Sequence, residues 1–398
     1  MKHIINILLG GFAFIGLLAA CTTRNTSQGS SCIPANVTTN YAPNLRRQDE
    51  TNVPNRKPMP SWWGPQLNEV QVNTMNQASV FDVVARSGNE IWLASYPDTL
   101  GNSILRYRTD TGDIRAYRVL DQHGKGYVAG NLFVAHDGSL WARLITEQDY
   151  SILAQYDPQK DEFRIVTDQS GLLLPSKDIR ITWNGRTQPV LDETPDGNLI
   201  LALNGEIYVY NPRTNLARRI LGRDKGLDVN SIAVSKDGHV WFTTSNELSI
   251  RELDPTNGTL WDYGPPPGVT ADDPVNLFSL VSKAMVIDGA GRVWVTDFGW
   301  LGHTNQEMRY IWEPISRSTI FISIYDPDYE YMWIRPDAIY QFSDGNIWYQ
   351  SGLGIVRFNV QTSEWCWTAT LTGPLAEDSK GNLWFVANGQ IYKYKLHP

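Results

Sequence analysis

Along most of this chain apolar and polar residues alternate with a period of two, in short runs broken by Gly, Asp, Asn and Pro, and that period predicts β-strands. One arrangement recurs seven times: an apolar strand, a glycine turn, then a strand centred on tryptophan. The copies are FDVVARSGNEIWLAS from Phe81, LFVAHDGSLWARL from Leu132, VLDETPDGNLILAL from Val190, IAVSKDGHVWFTT from Ile232, AMVIDGAGRVWVTD from Ala284, AIYQFSDGNIWYQS from Ala338 and PLAEDSKGNLWFVA from Pro374. Their turn glycines are Gly88, Gly138, Gly197, Gly238, Gly291, Gly345 and Gly381. Asp-Gly between alternating apolar residues is a strong hairpin signal because the turn needs positive φ.

Three or four residues after each glycine stands Trp92, Trp141, Trp241, Trp294, Trp348 or Trp384, with Ile200 in the third copy. A large ring at one fixed place in a repeated strand is expected to be packing between sheets, not a ligand ladder. A third alternating strand follows each hairpin and often ends in Asp-Pro or Asn-Pro, as in Ile152 to Pro158, Ile207 to Pro212, Leu248 to Pro255 and Ile320 to Pro327. Fourth strands are expected at Glu162 to Val166, Thr259 to Tyr263 and Glu364 to Ala369. The repeat therefore predicts an all-β fold, a seven-bladed β-propeller of four-stranded antiparallel blades. The last copy has only three strands, and Asn68 to Asn73 alternates as a strand should. Pairing that segment with the last blade would close the ring and cover an exposed edge.

The N-terminus reads differently. Lys2 and His3 precede an apolar run from Ile4 to Ala20, an export signal excluded from the fold. Leu18-Ala19-Ala20-Cys21 resembles the lipobox of bacterial lipoproteins, which implies cleavage before Cys21 and lipid attachment to its thiol. The predicted organisation is a signal over residues 1–20, a lipidated Cys21 with a flexible, Ser/Thr/Asn/Pro-rich tether over 21–60, and the propeller over 61–398. Acyl chains would make the membrane a partner through Cys21. Thr22 carries no acidic retention signal, so the outer membrane or cell surface is the expected address, or the outer face of the plasma membrane in a single-membrane cell. In an oxidising compartment the remaining cysteines, Cys32 and Cys366, are a candidate disulfide.

Composition narrows the functional classes. Charged residues make up 19% of the chain and the formal net charge is -8, with Lys and Arg scattered among acids, so nucleic acid is excluded as a partner. No nucleophile elbow, His-Glu-x-x-His or zinc-spaced cysteine set occurs, so no catalytic residue, metal or cofactor is assigned.

LAEDSKGNLWFVANGQIYKY and FSDGNIWYQSGLGIVRFN resemble the two-component regulator propeller repeat. Glu377, Asp378, Gly381, Asn382, Leu383 and Trp384 match it, as do Asp344, Gly345, Asn346, Ile347, Trp348, Gly352, Leu353, Arg357 and Phe358. The resemblance implies an exported sensor-type propeller and no catalysis. Asp237-Gly238-His239-Val240-Trp241-Phe242-Thr243 is similar to the repeat of streptogramin lyases, propellers whose chemistry needs a metal and a His/Glu cluster. The Ile-Gly-Arg continuation of that family is absent here, and His239 belongs to the hairpin-turn side.

In a propeller, the loops from strand two to three and from strand four to the next blade share one face around the channel. On that face DFGWLGHTNQEMRYIWEPISRS, Asp297 to Ser318, is expected to be a long loop. Its Trp300, Tyr310 and Trp312 offer rings to stack on, and His303, Glu307 and Arg309 offer orienting groups. Tyr127, Arg223, Trp333 and Arg335 in neighbouring loops complete the candidate ligand set. The expected function is binding of a small molecule, glycan or protein through this face without chemistry. The rival is a metal-dependent lyase, and a scaffold subunit of an envelope complex is the third class.

Overall fold

The computed structural model describes residues 33–34, 36–38, 68–70, 80–86, 89–95, 100–120, 124, 126–145, 151–173, 191–203, 205–222, 229–244, 250–263, 284–296, 299–301, 304–313, 318–325, 338–351, 354–361, 364–368, 373–387 and 390–396. All secondary structure among them is β-strand. Near the N-terminus stand β1 (Ile33–Pro34), β2 (Asn36–Thr38) and β3 (Asn68–Val70). The first sheet holds β4 (Val80–Arg86), β5 (Glu90–Ser95), β6 (Ile104–Arg108) and β7 (Ile114–Tyr117). The second holds β8 (Val128–Val134), β9 (Leu140–Ile145), β10 (Ser151–Asp157) and β11 (Glu162–Ile165). The third is β12 (Leu191–Glu193), β13 (Leu199–Leu203), β14 (Glu206–Asn211) and β15 (Leu216–Leu221). The fourth is β16 (Val229–Val234), β17 (Val240–Thr244), β18 (Ile250–Leu253) and β19 (Leu260–Asp262).

The fifth sheet runs β20 (Ala284–Ile287), β21 (Val293–Thr296), β23 (Thr304–Glu313), β24 (Ser318–Tyr325), with β22 (Gly299–Leu301) beside β23 and β2 on the outer edge of β24. The sixth runs β25 (Ala338–Gln341), β26 (Ile347–Ser351), β27 (Gly354–Asn359), β28 (Glu364–Thr368), with β1 outside β28. The seventh runs β29 (Leu375–Glu377), β30 (Asn382–Ala387), β31 (Gln390–Lys395), and its fourth strand is β3, Asn68 opposite Lys393 and Val70 opposite Ile391. Every pairing is antiparallel, and apart from β1, β2 and β3, which add from the N-terminal end, the paired strands follow one another closely along the chain, as short turns allow.

The turns follow from their residues. Gly138, Gly197, Gly238, Gly291, Gly345 and Gly381 all adopt φ between +72° and +88°, the region that glycine enters without steric cost. Each donates its N–H three residues back, as Gly381 does to the Asp378 carbonyl at 3.0 Å, which closes the hairpin. The tryptophans that follow are buried: Trp92, Trp294 and Trp348 have no exposed surface, and Trp141, Trp241 and Trp384 at most 2%. A buried indole N–H needs an acceptor, and the turn supplies it. Trp294 Nε1 donates to Asp288 Oδ2 (2.9 Å), Trp348 to Asp344 Oδ2 (3.1 Å), Trp384 to Asp378 Oδ2 (2.8 Å), Trp141 to Ser139 Oγ (2.8 Å) and Trp92 to Glu90 Oε2 (3.2 Å).

The core lies between sheets, not within one. Trp92 and Ile104 of the first sheet pack with Leu140, Leu144 and Tyr156 of the second, and Trp141 of the second packs with Leu199, Leu201 and Tyr208 of the third. Ile200 of the third joins Val240 and Phe242 of the fourth. Trp348 of the sixth meets Leu383 and Phe385 of the seventh, whose Trp384, Val386 and Ile391 meet Val83, Ile91 and Leu93 of the first.

The fifth sheet departs from the sequence reading. Residues 297–318 were expected to be a loop and Ile320 to Pro327 a third strand. Instead β23 is the third strand, bonded to β21 on one side and β24 on the other, so Ser318–Tyr325 is the fourth. Met308, Tyr310 and Trp312 alternate with Glu307, Arg309 and Ile311, the period of a strand rich in aromatic and branched residues. The Asp-Pro that ends third strands in other units here follows the fourth.

Candidate functional site

The first strands of all seven sheets face one cavity of about 520 Å³. Val83, Val84, Leu132, Phe133, Leu191, Ile232, Val234, Met285, Ile287, Ile339 and Leu375 make its wall largely apolar. Its few polar groups are Asp82, Asn131, Asp192 and Gln341, with the Tyr340 ring alongside. An apolar channel carrying a small number of placed polar groups is the usual make-up of a ligand site.

These polar groups are fixed by strand edges. An innermost strand has one side without a ladder partner, and its N–H groups need acceptors. Asp82 Oδ2 accepts the Leu132 N–H of the second sheet at 2.8 Å, and its Oδ1 accepts the Val83 N–H at 2.9 Å. Asp192 Oδ2 likewise accepts the Val234 N–H of the fourth sheet at 2.7 Å, and its Oδ1 the Glu193 N–H at 2.8 Å. Each carboxylate thus stitches its own sheet to the next. Burial raises the Asp82 carboxyl to about 7 against the pull of the Leu132, Val83 and Asn131 hydrogen bonds. Burial likewise raises Asp192, to about 6, with the Val234 and Glu193 bonds opposing it.

Asn131 is held from behind. Buried Arg143 donates from Nη1 to Asn131 Oδ1 at 3.0 Å and from Nε to Ser151 Oγ at 2.9 Å. Because Oδ1 is occupied, the amide NH₂ of Asn131 is turned toward Asp82, to which it hydrogen-bonds. A line of polar groups therefore runs from Ser151 through Arg143 and Asn131 to Asp82 on the channel wall. Backbone bulges mark the same end of three innermost strands, at Val80/Asp82, Ala129/Asn131 and Val229/Ser231, as is common where strands re-aim side chains near sites. Other buried polar groups gather at that end too: Ser95, Ser103, Thr243, Thr244 and Arg251, the last donating to Thr244 Oγ1 (3.2 Å) and Asp262 Oδ2 (3.0 Å).

The residues expected from sequence do not form this wall. Trp300 lies in β22, and Glu307, Arg309, Tyr310 and Trp312 lie in β23, where Arg309 pairs with Thr296 and Ile322, and Tyr310 with Val295 and Phe321. They are ladder residues of the fifth sheet and not a loop over the channel. Tyr127 packs half-buried against the core between the first two sheets, and its carbonyl accepts the Ser103 hydroxyl at 2.8 Å. His303, Arg223, Trp333, Arg335, Cys21 and Cys32 lie outside the described residues, and Cys366 is in β28. Asp82, Asn131, Arg143 and Asp192 were missed. Their one sequence signal is an acid or amide inside an apolar run, as in FDVVAR and VLDE. His239 sits on the hairpin side, its Nδ1 2.6 Å from Glu252 Oε1 and its ring stacked on Trp261. Among the described residues no three His, Cys, Asp or Glu side chains are gathered as a metal site.

No protein-family profile matches the chain, and no curated protein matches it in sequence. Solved structures do match in shape. A catalytically inactive virginiamycin B lyase from Staphylococcus aureus with quinupristin aligns at TM-score 0.59 and 15% identity, covering 83% of this chain and 99% of that one. The extracellular domain of a B. thetaiotaomicron protein described as a hybrid two-component system aligns at 0.59 and 16%, covering 83% of this chain and 42% of that one. YCF48 bound to D1 peptide aligns at 0.53 and 12%, over 83% and 97%. At such identities the likeness establishes the fold and nothing further: the chain is a β-propeller.

Proposed function

We propose that this chain is an exported, lipid-anchored propeller of seven blades, closed by β3, that takes a ligand at the mouth of its central channel and performs no chemistry. The observation that carries the reading is the cavity shared by the first strands of all seven sheets, with its mouth reinforced by the Arg143–Asn131–Asp82 line. The apolar wall with isolated carboxylates suits a narrow body, a glycan or peptide end, that stacks on Phe133 or Tyr340 and offers donors to Asp82 or Asp192. The likeness to YCF48 with its peptide and to an extracellular two-component domain supports binding outside the cytoplasm. Anchoring rests on the lipobox-like Leu18-Ala19-Ala20-Cys21.

A thermal-shift screen against oligosaccharides, peptidoglycan fragments and short peptides tests the site. A ligand at about a hundred times its Kd stabilises by roughly 2.7 kcal/mol. The shift should vanish in Val286→Trp, which fills the channel; a shift unchanged by that variant would refute the location. Absence of a shift from every compound would point to a protein partner. The lyase is the second reading, favoured by the virginiamycin B lyase likeness. Stabilisation by divalent metal alone, reversed by chelator, would turn the assignment toward it. Closure has its own test: deleting residues 60–78 should abolish cooperative unfolding, and an unchanged melt would refute it.

A further inference from the structure

The channel wall carries acids on two separate sheets, Asp82 on the first and Asp192 on the third, and each keeps part of its surface open. Among the described residues of the wall there is no Lys, Arg or His, and neither carboxylate is in an ion pair. Arg143 stands behind Asn131 and is not part of the wall. His136 and Glu193, close to Asp192, are bonded to each other at 3.0 Å outside it. Acceptor capacity is left over as well, since a carboxylate has about four lone-pair sites. Asp82 accepts from the Leu132 and Val83 N–H groups and the Asn131 amide, and Asp192 from the Val234 and Glu193 N–H groups. Burial raises both carboxyls, and a cation brought into the channel would oppose that cost. The rest of the wall is mostly apolar. Phe133, Tyr340 and Phe342 line it, and the Tyr340 and Phe342 rings are stacked with centroids 5.5 Å apart. Aromatic faces take apolar stems and also attract cations.

From these features we infer that the channel selects a primary ammonium group carried on an apolar stem, with its N–H groups given to Asp82 or Asp192 and the stem laid on the aromatic wall. The inference deepens the channel reading above and rests on it. A protonated amine supplies three donors and the charge that the wall lacks, an alcohol supplies one donor and no charge, and a carboxylate is repelled. The formal net charge of -8 draws the same class of ligand toward the protein.

The test titrates the full chain, by ligand-observed NMR at physiological salt, with three probes that share one alkyl stem: hexylamine, hexanol and heptanoate. The pH is set at about 8, above the values of about 7 for Asp82 and about 6 for Asp192, so that both are ionised. Hexylamine should bind about tenfold more tightly than hexanol, the margin of a charged over a neutral hydrogen bond, and heptanoate should not bind. Replacing both acids, Asp82→Asn with Asp192→Asn, should bring hexylamine to the affinity of hexanol, and Val286→Trp should abolish binding of both. Equal affinity for hexylamine and hexanol, blocked by Val286→Trp, would overturn the inference and leave the channel reading standing. An amine preference that survives either set of substitutions would place the amine elsewhere and also overturn it. Binding of none of the probes would overturn it and count against the channel reading too. The comparison of probes uses the unsubstituted chain, so it decides the matter even if a variant fails to fold. N-acetyl-lysine methylamide separates the sources of the amine. Tighter binding than hexylamine assigns a peptide side chain, weaker binding assigns a free amine, and either sustains the inference.

Discussion

Asp82→Asn isolates the cost of holding a carboxylate in the channel wall. The folded carboxyl is raised to about 7 from an ordinary value of 3.8, chiefly by burial. Below the ordinary value both folded and unfolded chains carry the proton, and the group imposes no penalty. Between that value and about 7 the unfolded chain releases its proton while the folded chain keeps it, so stability falls as pH rises, then levels off. About 3 units at 1.36 kcal/mol each give a ceiling of about 4 kcal/mol. The carboxylate faces the open channel, and screening there reduces the expected loss to about 2 kcal/mol. Asparagine has no such titration. Its amide meets the Val83 N–H less well than a carboxylate does, a cost that does not depend on pH. The assay is urea unfolding of both proteins from pH 4.5 to 7.5. The gap between their stabilities should shift by about 2 kcal/mol in favour of the variant as pH rises. Parallel curves would refute burial as the dominant influence on this group.

Trp384→Ala removes a ring that is 2% exposed and linked to Asp378, and should cost about 3–5 kcal/mol in chemical denaturation, where a loss under 1 kcal/mol would contradict its place in the core. His239 is the other pH probe. Burial lowers its pKa, but the hydrogen bond to Glu252 and the charges of Asp237, Glu252 and Asp254 outweigh that and leave it raised. Its contribution is therefore present below about 6.5 and lost as pH rises through the folded value. Glu252→Gln should destabilise by about 1 kcal/mol at pH 5.5 and less at pH 8.5, with the His239 NMR titration moving to lower pH; an unmoved titration would contradict the pairing.

What was legible in the sequence is what is local. A glycine that needs positive φ, and an indole three residues later, sit inside one hairpin, so Gly238 and Trp241 announce themselves without knowledge of any other sheet. The third strand of the fifth sheet is hard to read because Asp326-Pro327 follows the fourth strand here, where in other units Asp-Pro or Asn-Pro ends the third, and the alternation from Thr304 to Glu313 is what forms the strand. The site was illegible for a different reason. Its wall takes two or more residues from each of seven distant strands, and the bond by which Asp82 joins two sheets comes from an N–H on Leu132, fifty residues on. Nothing near Asp82 in the sequence states that need.

The link between turn and tryptophan bears on how such a chain can change. Trp294 and Trp384 take their acceptor six residues back, Trp348 four back, and Trp141 and Trp92 two back, from Asp, Ser or Glu. In the third unit Ile200 has no side-chain N–H to satisfy, and the turn's Asp196 is bound by Thr194 and Asn198 instead. Five of the seven units thus keep a hydrogen bond while letting the residue that makes it wander along the turn. With that freedom, the same architecture can be built with little position-by-position identity, as this chain shares its fold with known propellers over 83% of its length at 12 to 16% identity.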